Sequence, residues 1–251
     1  MHTYIKRDPS SNFGFLKEDF SYPGAELEVF SHAKKWKAYW SSRIRKYIGQ
    51  SVLEVGAGIG SNTRLLYRNG VDRWVCLEPD AKLTEQLLSN LTRSQIHPQC
   101  EVINGRIKDI PVDNKFDTIL YLDVLEHIED DKREIEFALD LLVTGGKIII
   151  LSPAHSWLYS EFDRAIGHYR RYNARSLRTL PYDKLELLCM EYLDSVGLIV
   201  SLANCYFLYR RTPSIKQIKI WDSLLIPCSK FLDLFFHYRI GKSIMGIWRR
   251  T

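Results

Sequence analysis

The chain has 251 residues, 45% hydrophobic and 26% charged, which suffices for one well-buried domain and excludes a disordered tail protein. Its net charge of +5 is unevenly placed: the first 200 residues carry 26 basic and 28 acidic side chains, the last 51 carry 9 and 2. Five scattered cysteines with no C-x-x-C pair argue against a disulfide framework or a structural zinc site and predict reduced thiols.

At the start of the chain, residues 1–7 offer no apolar core of signal-peptide length, and no run approaches about 18 apolar residues. The expectation is a cytoplasmic protein without a membrane span. Residues 26–48 read as a helix, because Ala33, Trp36, Trp40, Ile44 and Tyr47 recur at spacings of three and four, and Gly49 stops it. Short apolar runs then alternate with helical patterns: strand 52–55 and helix 61–69, strand 74–77 and helix 80–91, strand 101–104, strand 118–122 and helix 130–142, strand 147–151. Strands apolar on both faces and separated by helices predict a doubly wound α/β domain with a parallel sheet. Beyond Pro153 come an aromatic, Arg-rich segment over 154–180, a helix over 182–196 closed by Gly197, a strand over 198–206, and a last strand over 243–248. The organisation read from this is an N-terminal helical cap over 1–50 and one domain over 51–251, with a basic amphipathic insertion over 207–242.

Strand 52–55 leads into Glu54-Val55-Gly56-Ala57-Gly58-Ile59-Gly60, and 18 residues past Gly60 the next strand ends in Glu78-Pro79-Asp80. Glycines let a tight turn bring backbone amides against a ligand, and a carboxylate at the second strand end accepts from ribose hydroxyls. A nucleoside ligand is implied. The third small residue of the dinucleotide version is missing, since position 61 is Ser.

The stretches VLEVGAGIGSNT (52–63), CLEPD (76–80), FDTILYLDVLEHIEDD (116–131) and GGKIIILSP (145–153) resemble the class I S-adenosylmethionine-dependent methyltransferases. The resemblance implies a Rossmann-like seven-stranded sheet with an antiparallel last strand and S-adenosylmethionine as cofactor. It places Glu54, Gly56, Ala57, Gly58 and Gly60 around the methionine and ribose, Glu78 and Pro79 at the ribose hydroxyls, and Leu122 and Asp123 beside the methionine end. Relatives often carry an acid after the third strand for adenine; here Asn104-Gly105-Arg106-Ile107 has none, and the backbone of Arg106 and Ile107 takes that place. The HYRRY and C-terminal segments also resemble bacterial methyltransferases that accompany cell-surface polysaccharide synthesis.

Methyl transfer from a sulfonium is a displacement with an activated leaving group, so the protein aligns the acceptor and manages its proton. Candidate groups lie past the fourth and fifth strands: Asp123, Glu126, His127, His155, Asp163 and His168. If helical, Asp123-x-x-Glu126-His127 would put both acids on one face, and with His168 or His155 would make an O/N site for a divalent cation. This resembles the E-x-x-E-H metal element of the ubiquinone-biosynthesis O-methyltransferases and the small-RNA 2′-O-methyltransferases, with Asp as the first acid. Metal assistance, metal-free catalysis by a His, and catalysis by proximity alone all remain open at this level.

Within 156–178, Trp157, Tyr159, Phe162, Tyr169 and Tyr172 are interleaved with Arg164, Arg170, Arg171, Arg175 and Arg178, suited to stacking on a ring and holding an anionic acceptor. Tyr159, Asp163, Tyr169, Arg170, Arg171 and Tyr172 are the expected substrate contacts. The competing reading is a helical lid whose arginines pair with Glu161 and Asp163. In 214–242, Ile218, Trp221, Leu225, Cys228, Leu232 and Phe235 form an apolar stripe that Pro227 should kink, flanked by Lys216, Lys219, Lys230, Arg239 and Lys242. Such an insertion can lie on an anionic membrane, cover the site as a lid, or join a homodimer; nucleic acid fits it least. The function expected is O-methylation of a sugar, a lipid-linked glycan or another small metabolite. RNA methylation is disfavoured by Glu129, Asp130 and Asp131 beside the candidate site, and non-catalytic cofactor binding by the several candidate bases.

Overall fold

The computed structural model describes residues 21–23, 26–68, 70–95, 100–180, 184–207 and 214–251, with the backbone alone described at 204–207. Residues 1–20 of the expected cap and 208–213 at the head of the insertion lie outside the described residues. The helix expected over 26–48 is two, α1 (Glu26–Ser31) and α2 (Lys34–Ile44), because Ala33 leaves the helical region at φ −79 and ψ 65. The alternating section follows as β1 (Ser51–Val55), α3 (Ser61–Leu66), β2 (Arg73–Glu78), α4 (Ala81–Arg93), β3 (Cys100–Asn104), β4 (Phe116–Leu122), α5 (Asp131–Leu141) and β5 (Leu142–Pro153). Next come α6 (Glu161–Ala165), α7 (Ala174–Arg178), β6 (Leu185–Leu193), α8 (Ser195–Phe207), α9 (Ile215–Ile220), α10 (Ile226–Phe235) and β7 (Ser243–Arg250).

The seven strands form one sheet in the order β3-β2-β1-β4-β5-β7-β6, with β7 antiparallel to both neighbours. Alternate residues of each strand enter opposite layers. Val52, Cys76, Leu120 and Ile149 pack with Trp36, Trp40 and Ile44 of α2 and with Leu87 and Leu91 of α4. Leu53, Val75, Ile119 and Ile148 pack with Ile135, Ala138 and Leu141 of α5. These two layers account for the runs that are apolar on both faces.

The section over 182–206 reverses the expected order, since it is strand then helix. Leu185–Leu193 pairs along its length with β7. Gly197 does not end a helix. It stands in the first turn of α8, where its N–H donates to Asp194 Oδ1 at 2.9 Å. A Cβ there would lie 1.8 Å from Asp194 Oδ2, so the close approach of the capping carboxylate requires glycine.

The insertion keeps part of the expected stripe inward, with Ile218 buried and Trp221, Leu225 and Leu232 half-buried. A π-helical turn, Trp221–Leu225, links α9 to α10, and Pro227 falls in the first turn of α10, where it needs no donor. The buried face carries Asp222, Ser229 and Asp233 with Ile218 and Ile226, whereas Cys228 and Phe235 of the expected stripe are exposed. Each buried polar group serves backbone donors of another element. Asp222 accepts from the N–H groups of Lys35 and Trp36, and Asp233 from those of Asp194 and Ser195 and from the Tyr39 hydroxyl. Buried N–H groups must find acceptors, and here a helix supplies them.

Candidate active site

Strand order reverses between β1 and β4, so the loops leaving their carboxyl ends diverge and open a crevice. A cavity of about 780 Å³ lies there, within the range of about 300–1,000 Å³ common for ligand sites. Gly56, Ala57, Gly58, Leu122 and Asp123 line it. Gly56, Gly58 and Gly60 all have positive φ, and a Cβ on Gly56 would lie 2.7 Å from Val124 Cγ2, so the turn can pass under the β4 loop only as glycine.

Glu54, Gly60, Glu78, Pro79, Arg106 and Ile107 are not among the lining residues. Glu78 braces the turn: one oxygen accepts from Gly58 N–H at 2.8 Å and the other from Asp80 N–H at 3.0 Å. Asn104, in the segment that lacks an adenine-binding acid, donates to the carbonyls of Glu78 and Pro79. Glu54 is fully buried and accepts from Thr63 Oγ1 and Trp74 Nε1. Burial raises its pKa to about 7, with those two donors pulling it back. Since the folded value exceeds the ordinary 4.5, the stabilising contribution is full below about pH 4.5 and is lost as pH rises through about 7. Glu54→Gln should therefore flatten the fall in melting temperature between about pH 5 and about pH 8, removing roughly 3 kcal/mol of pH-dependent stability. An unchanged slope in thermal melts across that range would refute the assignment.

Lys37, on α2, reaches the same cavity and donates to Ser61 Oγ at 2.5 Å. Burial lowers its pKa to about 8, while Asp123 and Glu54 oppose the shift. Asp123 opens to the cavity water although protein surrounds it; burial raises its pKa to about 6 against the pull of His168 and Lys37. A lysine and a carboxylate thus face one another at the glycine turn.

Past β4 the chain makes a 3₁₀ turn over Leu125–His127 rather than an α-helix, and Asp123 precedes it at φ +58. Asp123 is consequently not grouped with Glu126 and His127, which corrects the four-residue metal set. The group that does form is Glu126, His127 and His168, with one ligand atom from each lying within 4.8 Å of the others. Glu126 is buried; Oε2 accepts from Ser152 Oγ at 2.9 Å, whereas Oε1 has no hydrogen-bond partner among the described residues and lies 3.9 Å from His168 Nε2. Burial raises the Glu126 pKa to about 7, opposed by His168. His168 is oriented from behind, its Nδ1 donating to Asp163 Oδ1 at 2.9 Å. Asp163 is held in turn by Arg171 Nε and Nη2 at 2.8 and 3.0 Å and by Ser160. Burial alone would raise the Asp163 pKa, but the hydrogen bonds from His168 and Arg171 hold it well below the usual range. His127 packs edge-on against His168 and against Tyr22, whose hydroxyl lies 3.5 Å from Nε2. Burial and the neighbouring His168 lower its pKa to about 3, so it is a neutral ligand or donor and a weak base.

The remaining expected residues separate. Tyr159, Asp163 and Arg171 line the cavity, but Arg171 is occupied by Asp163. Tyr169 and Arg170 lie in a shallow outer groove, with Arg170 paired to Asp131 at 2.7 Å. Tyr172 is no substrate contact: it is buried in the core, where its hydroxyl donates to Asp131 at 2.6 Å. His155 also stays outside the cavity, stacked between Trp157 and Tyr192 with Nε2 2.9 Å from the Gly241 carbonyl. Lys37 is a cavity residue that the sequence reading missed, although a lysine inside the apolar spacing of Ala33, Trp36, Trp40 and Ile44 was a usable signal.

A doubly wound sheet with this strand order, an antiparallel β7, a glycine turn after β1 and a carboxylate ending β2 defines the class I S-adenosylmethionine-dependent methyltransferases. Residues 20–200 match the family described as a methyltransferase domain, and the chain belongs to it. A ubiquinone biosynthesis O-methyltransferase of Coxiella burnetii is 24% identical over 148 residues, 57% of this chain and 61% of that protein. The mitochondrial one of Dictyostelium discoideum is 27% identical over 112 residues, 41% of this chain and 35% of that protein. The chain therefore spans less than two thirds of these relatives. Among solved structures, geranyl diphosphate C-methyltransferase from Streptomyces coelicolor superposes with a TM-score of 0.64 at 11% identity, covering 90% of this chain and 83% of that one. Coclaurine N-methyltransferase gives 0.58 at 13%, covering 87% and 72%. These enzymes are named for different acceptor atoms, so the likeness speaks for the fold.

Proposed function

We propose that the protein transfers the methyl group of S-adenosylmethionine to a hydroxyl oxygen of a small acceptor with an apolar body, a lipid-linked acceptor included. The observation that carries this reading is the bare Glu126 Oε1, buried beside His168 in the cavity that begins at the glycine turn. A carboxyl with a pKa of about 7 is suited to take a proton near neutrality. The acceptor oxygen attacks the sulfonium methyl, the C–S bond breaks to leave S-adenosylhomocysteine, and the hydroxyl proton passes to Glu126. His168, fixed through Asp163, stabilises the carboxylate before transfer. The lining by Phe30, Trp36, Trp40, Phe162 and Trp221 supports an apolar acceptor, and the engagement of Arg170 and Arg171 leaves an anionic sugar little to bind.

The donor set also fits a divalent cation, because Glu126 offers an unpartnered oxygen, His127 is neutral, and His168 is oriented by a carboxylate behind it. Glu126, His127 and His168 would hold the ion, and when bound it would lower the pKa of the acceptor hydroxyl. The test is methyl transfer from labelled cofactor to a panel of phenolic, lipid-linked and sugar hydroxyls together with amine and carbon acceptors, with and without EDTA. Transfer confined to nitrogen or carbon acceptors, or to polar sugars, would overturn the reading.

At the other end of the cavity, Lys37 is placed to meet the cofactor carboxylate, with Asp123 facing its ammonium group. Lys37→Met should weaken cofactor binding about 10- to 100-fold, the worth of one charge-assisted hydrogen bond. Calorimetric titration with S-adenosylhomocysteine reads this directly, and an unchanged Kd would remove Lys37 from the site.

A further inference from the structure

We infer that the outward face of α9 and α10 is a docking surface for an anionic phospholipid bilayer. The inner side of these helices carries both acids together with Ile218 and Ile226, and large apolar side chains also stand on the outer side, where an ordinary surface helix is polar. Ile220, Leu224, Phe231, Leu234 and Phe235 follow one another at helical spacing, and Leu224, Phe231, Leu234 and Phe235 are 62, 72, 62 and 69% exposed. An apolar patch of this kind on a soluble domain marks an interaction site.

Charge decides among the occupants. Both acids of 214–242, Asp222 and Asp233, are buried and engaged by backbone donors. Lys216, Lys219, Lys230 and Arg239 are exposed, so the rim of the apolar face is basic, with no exposed acid in that segment. A second copy docked across a two-fold axis would set this basic rim against its own image. An anionic bilayer instead takes the aromatic side chains into its headgroup boundary and the basic groups onto its surface. No described helix is long and apolar enough to cross a membrane, so the contact lies in the interface plane. Ile218, Ile220, Trp221 and Leu225 of the same helices line the cavity. The docked face therefore brings the cavity wall to the lipid surface, where an apolar acceptor would be drawn from the membrane. The docking itself does not depend on the proposed reaction.

The test is vesicle flotation of the full-length protein. Wild type should float with phosphatidylcholine vesicles containing phosphatidylglycerol, fail to float with phosphatidylcholine alone, and be released at about 1 M salt, where the Debye length falls to about 3 Å. Phe231→Ser/Phe235→Ser should abolish flotation, and Lys219→Gln/Lys230→Gln should lower it more than tenfold, each basic group contributing about fivefold. Both variants should keep the wild-type affinity for S-adenosylhomocysteine, which shows that the fold survives. Failure of wild type to bind anionic vesicles overturns the inference, as does undiminished flotation of the Phe231/Phe235 variant. A wild-type dimer that the same substitutions dissociate, with no vesicle binding, would assign the face to a second copy. Loss of methyl transfer with flotation intact would count against the proposed reaction and leave the docking standing.

Discussion

Glu126→Gln should lower kcat about 10²- to 10⁴-fold while leaving the cofactor Kd unchanged. The amide keeps the shape of the side chain and its contact with Ser152, but it removes the buried oxygen that lacks a partner and has a pKa of about 7. In the wild type a base must be deprotonated to act, so kcat should rise as pH passes through about 7. That limb should vanish in the variant. His168→Ala should also reduce kcat, by freeing Glu126 from its neighbour and leaving Asp163 without one of its donors. Single-turnover transfer at several pH values, with the cofactor Kd measured on the same preparations, separates this role from a structural one. A Glu126→Gln enzyme within a factor of a few of wild type would end the role of Glu126 as base.

Asp233→Ala is the substitution expected to cost most in stability, about 3–5 kcal/mol. Its carboxylate accepts from Asp194 N–H at 2.8 Å, Ser195 N–H at 2.9 Å and Tyr39 Oη at 2.8 Å, all in buried surroundings. Alanine offers none of these donors an acceptor, and a small side chain admits no compensating contact. Asp233→Asn retains one acceptor oxygen and should lie between the two. By contrast Phe235→Ala, two residues away on the exposed face, should change stability by less than about 0.5 kcal/mol. Urea midpoints at constant m-value measure all three. An Asp233→Ala cost no larger than that of Phe235→Ala would mean that α10 is not pinned through its buried face.

The cofactor half was legible because its signals are local. Val52–Val55, Trp74–Leu77 and Ile148–Leu151 are apolar on both faces, and Gly56, Gly58 and Gly60 sit in a turn that their positive φ values require. The covering half obeys tertiary demands that override local pattern. Leu185–Leu193 fits either period, and only its pairing with β7 makes it a strand. Gly197 had the appearance of a helix stop, yet its use is to admit the Asp194 carboxylate. Asp222, Ser229 and Asp233 lie on the buried side of a helix because backbone donors of α2 and α8 have no other acceptor, and nothing in the local spacing announces that need. The proposed catalytic group was partly legible. Glu126, His127 and His168 were singled out from order and spacing, while the exclusion of Asp123, His155 and Tyr172 rests on a positive φ, a ring stack and a buried hydroxyl.

The strand order also sets a sequence of events during synthesis. The strand β7 follows β6 in the chain but stands between β5 and β6 in the sheet. Five strands, β1 to β5, can assemble with the glycine turn once β5 has left the ribosome, since all their pairings except the one between β5 and β7 are among themselves. The strand β6 and the helices after it have no place in the sheet until Ser243–Arg250 emerges. A nascent chain can therefore hold its nucleoside-binding half folded while the edge of β5 that β7 later covers is open. Nascent chains of this protein are most exposed to edge-to-edge strand pairing over that interval.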